Sequence, residues 1–204
     1  MIKSKLIELI RRQATENGAG IADDLRRVSP KEIELATDNM WSDLLFLLLK
    51  DSQSMDFFVK SYDSVDVQFN STSKEYYATL PAKVCQLPQN AGIKLVRGVG
   101  SNRKLIPTTN EDVDLFVDSD VSRYYDKTLY VLDGVSRIKF INFDYASQNI
   151  RKVQIKLIPS FVEYSWTEDV PIPSGRVSEF VSIVAKSLFS SKKFLDSSSD
   201  GVSN

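Results

Sequence analysis

Residues 150–190 constrain the fold of this chain more than any other stretch. Arg151-Lys152-Val153-Gln154-Ile155-Lys156-Leu157 puts an apolar side chain at every second position, the period of a half-buried β-strand. Pro159 ends the alternation, and Tyr164–Pro173, with prolines at 171 and 173, carries the chain away extended. From Ser174 the apolar spacing lengthens to about 3.6 residues, which predicts an amphipathic helix over 175–189. The chain must therefore supply both a sheet face and a helix stripe to a buried core.

Upstream, Ile2, Leu6, Leu9 and Ile10 recur at helical spacing, so residues 3–16 read as a first helix that Asn17-Gly18-Ala19-Gly20 ends. Ser29-Pro30-Lys31-Glu32 then combines a serine cap, a proline at the first helical position and an acidic first turn. Behind it, Ile33, Ala36, Met40, Trp41, Leu44, Leu45 and Leu48 form the expected buried stripe. Phe46, Leu47 and Leu49 widen that stripe until the helix is apolar almost all round, which calls for burial on several sides, by its own fold or by another chain.

Between residues 60 and 160 the pattern is β. Val65, Val67 and Phe69 alternate with polar residues, Asn70-Ser71-Thr72-Ser73 reads as a turn, and Tyr76–Leu80 as the returning arm. Leu80-Pro81 and Leu87-Pro88 bracket an edge strand or linker at 82–86. Ile93–Val96 and Lys104–Ile106 flank a glycine-rich hairpin loop at 98–102, Glu111–Val117 alternates imperfectly, and Asp133-Gly134 marks a two-residue hairpin turn. No β-α-β rhythm appears, which argues against a doubly wound sheet. The expected fold is α+β: a central, mostly antiparallel sandwich or open barrel with flanking N-terminal and C-terminal helices. The expected organisation is a helix-and-linker arm over 1–28, a core over 29–190, and a disordered tail over 191–204.

Composition narrows the chemistry. The 204 residues include no histidine and one cysteine, Cys85, so histidine-based triads, His-ligated metals and intrachain disulfides are excluded. Lys plus Arg number 26 against 27 Asp plus Glu, and that balance gives no overall attraction for nucleic acid. The longest apolar run, Leu44–Leu49, is far below the ~20 residues of a membrane span, and the charged N-terminus does not read as a signal peptide. A soluble protein made in the cytoplasm is expected, with no membrane partner, cofactor or metal.

Three local patterns invite a sharper reading. Gly98-Val99-Gly100-Ser101-Asn102-Arg103-Lys104 resembles a phosphate loop but lacks its remaining glycine or Gly-Lys-Ser/Thr and any following helix, so a hairpin tip is expected, whose Arg97, Arg103 and Lys104 can meet an acidic partner. The acidic run from Glu111 to Asp126 lacks the glycine and glutamate of a calcium loop. Gln154-Ile155-Lys156 after Asp133 has the residue types of a metal-dependent nuclease, yet is more simply the polar face of an alternating strand. Cys85 has no activating histidine and is expected to be inert.

The punctuation Leu80-Pro81, then Leu87-Pro88-Gln89-Asn90-Ala91-Gly92-Ile93, then Ile158-Pro159 and Pro171-Ile172-Pro173 before the last helix, resembles small virion proteins of podovirus-like tailed phages, particularly the crAss-like gut phages. The resemblance spans about Ser29 to Ser190 and rests on element order rather than on an invariant motif; the long β section and the near-zero charge depart from a more helical head–tail adaptor. It implies a non-enzymatic ring or connector subunit of the neck or tail, joining portal to tail. Its partners would be copies of itself in a twelve-fold ring, the portal and other ring proteins, with DNA only as channel contents and the virion as its location. Trp166, Val170, Pro171, Ile172 and Pro173 in the extended crossing, with Arg97, Arg103 and Lys104, are the expected interface. The alternatives are a monomeric protein-binding or assembly-chaperone module and, behind it, the metal-dependent nuclease.

Overall fold

A computed structural model describes residues 1–17, 28–51, 53–101, 103–109, 111–112, 127–143 and 150–199, with backbone alone at 17 and 189–199. It is α+β, as the sequence predicts, and divides into two compact units. Residues 1–54 and 161–204 make a helical unit, and residues 55–160 make a β unit. The division differs from the expected arm and core, because the β unit is an insertion: the chain leaves the helical unit at Ser54 and re-enters it at Phe161. Periodicity reports local faces, not which distant segments pack together.

The helical unit contains α1 (Lys3–Asn17), α2 (Pro30–Lys50) and α3 (Val177–Ser199). α2 starts where its cap demands: Ser29 Oγ accepts from the Glu32 N–H at 3.2 Å, and the Glu32 carboxylate accepts from the Ser29 N–H at 2.6 Å. Ile33, Thr37, Trp41, Leu45 and Leu48 line its buried face, so Ala36, Met40 and Leu44 sit at the margins of the stripe rather than within it. Trp41 is the centre of this core, with ring centroids 6.0 Å from Phe161, 6.1 Å from Tyr164 and 6.2 Å from Phe180. α1 is a wall of the same core, not an arm, since Leu6, Ile7, Ile10 and Ala14 are buried. α3 continues beyond the expected end near 190 and runs through Ser199, because no glycine or proline interrupts it before Gly201.

The β unit holds two sheets. In the first, β8 (Lys152–Leu157) is the central strand between β1 (Lys60–Asp66) and β4 (Ile93–Gly98), all antiparallel. In the second, the order is β2 (Gln68–Asn70), β3 (Glu75–Thr79), β7 (Arg137–Ile141), β6 (Leu129–Asp133) and β5 (Ile106–Pro107), antiparallel except for the β5–β6 pair. Val65, Val96, Val153, Ile155 and Leu157 of the first sheet share one buried cluster with Ala78, Tyr130, Ile138 and Phe140 of the second. The alternation seen in the sequence thus becomes a sandwich, each strand turning one set of side chains inward.

The turn at 133–134 differs in detail from its prediction. Asp133 pairs with Arg137, so the connection is Gly134–Ser136 and only Gly134 takes positive φ, at 69°. The extra residues are held by the segment between the two Leu-Pro steps: the Leu80 N–H donates to the Ser136 carbonyl at 2.7 Å and the Val84 N–H to the Val135 carbonyl at 2.9 Å. That segment forms no full strand, only a bridge from Val84 to Pro159. The expected strand at 111–117 falls mostly outside the described residues, and Glu111 and Asp112 themselves are helical.

Candidate functional site

The extended crossing belongs to the helical unit and is fastened along its length to the start of α1. The Lys3 N–H donates to the Glu168 carbonyl at 2.9 Å and the Ser4 N–H to the Trp166 carbonyl at 3.1 Å, while the Val170 N–H donates to the Met1 carbonyl at 2.8 Å. First-turn N–H groups have no partner inside their own helix, so the crossing satisfies donors that α1 cannot. Val170 and Ile172 point inward and are buried, Pro171 is half-buried, and Trp166 and Pro173 are exposed. Of the residues expected to form an interface here, only Trp166 and Pro173 present themselves at the surface; Val170 and Ile172 are intrachain core.

A buried lysine underlies this arrangement. The Lys3 side chain is 1 % exposed, is paired with Glu34 of α2, and donates to the Tyr164 carbonyl at 2.7 Å and the Val162 carbonyl at 3.3 Å. Its ammonium also lies 5.0 Å from the centre of the Phe161 ring and 5.7 Å from that of Trp166. Asp38 of α2 completes the fastening by accepting the N–H groups of Phe161 at 2.6 Å and Val162 at 3.3 Å. Sequence reading overlooked these residues. The available signal was Lys3 standing on the same helical face as Ile7 and Ile10, where a cation requires a partner.

The helical unit also leaves apolar side chains outside. On α2, Leu35, Phe46 and Leu47 are 53 %, 44 % and 53 % exposed, on the side opposite Trp41. The all-round apolar helix is therefore covered by its own unit on one side only. Between α1 and α3 lies a cleft of about 420 Å³ lined by Leu9, Arg12, Gln13, Glu16, Ser174, Val177, Ser178 and Val181.

On the β unit, the outer face of the three-stranded sheet gathers polar residues. Gln154 of β8 pairs with Arg97 of β4, and Arg97 in turn pairs with Lys104. An extra residue in β1 between Tyr62 and Val65 forms a bulge opposite Gln154. There Asp63 accepts from the Gln154 amide and from Ser61 Oγ at 3.0 Å. Those two hydrogen bonds, with smaller help from Lys156 and Arg97, hold the Asp63 carboxyl below its ordinary range. Residues 98–101 rise beside them and close a cleft of about 320 Å³ lined by Asp63, Arg97, Gln154 and the loop. The loop is closed as a short hairpin by the Arg97–Lys104 bridge and by the Leu105 N–H donating to the Val96 carbonyl at 2.9 Å, with Gly100 at φ 77°. The expected second arm then departs, since Ile106 begins β5 and pairs with β6 of the other sheet.

The nuclease-like residue set is not assembled as the sequence order implied. Asp133 lies on the second sheet, paired with Arg137, whereas Gln154 and Lys156 face Asp63. Among the described residues no group of three or more metal-binding side chains converges. Of the acidic run, residues 113–126 lie outside the described residues. Cys85 is buried. Among the described residues no helix is long and apolar enough to cross a membrane. No known protein family matches the chain, and no curated protein matches it either.

Proposed function

We propose that this chain is a virion structural protein: a ring or connector subunit joining the portal of the head to the tail in a tailed phage. The observation that carries the reading is the pair of unlike apolar surfaces on the helical unit. Leu35, Phe46 and Leu47 project from the outer face of α2, while Leu9, Val177 and Val181 line the cleft between α1 and α3. A surface on one copy that meets a different surface on the next gives a head-to-tail contact, and such contacts close into a ring when the rotation fits. The Leu-Pro and Pro-x-Pro punctuation that resembles phage neck and tail proteins supplies the biological setting. In that setting Trp166 and Pro173 are available for contacts along the ring axis.

The test is the mass of the purified chain by light scattering, alone and with a portal protein, compared with a Phe46→Glu, Leu47→Glu variant. The wild-type chain is expected to assemble and the variant to remain a monomer. Equal masses for the two would remove the α2 face from the account, and a persistent monomer would remove the ring.

A further inference from the structure

We infer that the outer face of the three-stranded sheet is a nucleic-acid contact surface, on which Arg97, Lys104 and Lys156 meet backbone phosphates. The chain's near-zero net charge conceals this face. Lys156 of β8, Arg97 of β4 and Lys104, which bridges to Arg97 just beyond the sheet, stand exposed on neighbouring backbone segments, and none makes an ion pair with another described residue. Two carboxylates share the face, Asp63 within the field of Lys156 and Arg97 and Asp66 beside Lys152, and the four cations, Lys152 included, outnumber them. Asp63 is held by Gln154 and Ser61, and Asp66 lies 3.7 Å from the Lys152 ammonium.

The spread of the cations identifies the class of ligand. Adjacent strands lie about 4.8 Å apart, so the three cations extend over roughly 10 Å, too wide for one carboxylate and suited to a linear polyanion. An acidic protein segment is the competing polyanion, but protein docking sites centre on buried aromatic or large apolar anchors. The outward positions on this face are Ser61, Asp63, Asp66, Leu95, Arg97, Val99, Lys152, Gln154 and Lys156, with no aromatic side chain. Its apolar side chains are Leu95 and Val99, neither aromatic, and with the rest polar or charged the face has the character of a nucleic-acid interface. The cleft beside Gly98–Ser101 adds a further polar element. Gln154 Oε1 is buried there without a described hydrogen-bond partner, because its amide nitrogen is committed to Asp63. It is an acceptor that an ordered water on a phosphate, or a sugar hydroxyl, can satisfy.

The inference goes beyond the ring reading and does not require it. Fluorescence anisotropy of a labelled 20-base-pair duplex, titrated with the full chain at several salt concentrations, tests it. Three phosphate contacts give a slope of log affinity against log salt near −2.7, about a 40-fold loss from 50 to 200 mM salt. Lys156→Ala should lower that loss to about 12-fold, and Arg97→Ala with Lys104→Ala and Lys156→Ala together should abolish binding. All three side chains are exposed, so an unchanged melting temperature will show that the variants fold. Two results overturn the inference: undiminished binding by the triple variant, or displacement of the duplex by polyglutamate at equal charge concentration. Light scattering on the same samples reads the ring separately, so either reading can fail alone.

Discussion

Replacing Lys3 by methionine tests how the helical unit is held together. The substitution keeps the length of the apolar stem but removes the ammonium. It leaves the Glu34 carboxylate, 18 % exposed, without its ion pair, and the carbonyls of Tyr164 and Val162 without that donor. Removing one partner of a buried pair typically costs about 3–5 kcal/mol, because the remaining charge stays desolvated. Glu34 keeps some solvent, so the lower end, about 3 kcal/mol, is expected. Lys3→Met with Glu34→Leu removes both charges and should recover at least half of that loss, about 1.5 kcal/mol or more. Urea unfolding followed by tryptophan fluorescence is the assay, since Trp41 and Trp166 both lie in the helical unit and report it specifically. A single Lys3→Met variant within 0.5 kcal/mol of wild type would refute the reasoning, as would a double variant less stable than the single one.

Other predictions concern packing and titration. Trp41→Ala should cost about 3–5 kcal/mol in the same assay, since it empties the meeting point of Phe161, Tyr164 and Phe180. Gly92→Ala should cost roughly 2 kcal/mol or more, because a Cβ there would stand 2.3 Å from the Cys85 carbonyl oxygen; Gly175→Ala meets nothing within 4 Å and should change thermal stability little. Burial pushes the Tyr130 hydroxyl up to about 12. Its protonated form thus stabilises the fold fully below the ordinary tyrosine range near 10, and that stabilisation is lost as pH rises through about 12. In an absorbance titration at alkaline pH, replacement by phenylalanine should remove a tyrosine signal that titrates at about 12. Gln154→Ala should raise the Asp63 carboxyl toward its ordinary value, read by carbon NMR, because the lost amide is the largest cause of its lowering. In wild type the folded state holds Asp63 ionised, so its contribution is present above the ordinary carboxylate range and falls away only as pH drops through the lowered value.

The sequence announced most features that depend on neighbours along the chain, though not the three-residue loop after Asp133 or the full length of α3. Ser29 and Glu32 capped α2 as expected, the turn expected at Asn70–Ser73 lies at 71–74 between β2 and β3, and the alternation at 152–157 became the central strand of a sheet. What escaped it depends on distant partners. The crossing looked like free surface because its prolines forbid regular structure. Its carbonyls in fact serve the N–H groups of α1 more than 160 residues away, and Val170 and Ile172 fill that core. The division into units was invisible for the same reason: nothing in the local pattern at Ser54 or Phe161 says that the flanking helices rejoin. Arg97 and Lys104 were legible as a basic hairpin, but Lys156 and Asp63 join them only through strand register and a bulge.

Electron microscopy of the full chain mixed with a portal protein tests the central claim most directly. The account predicts closed rings in which α2 of one copy faces the α1–α3 cleft of the next, lost in the Phe46→Glu, Leu47→Glu variant. Isolated single subunits, at every concentration and with portal present, would contradict it.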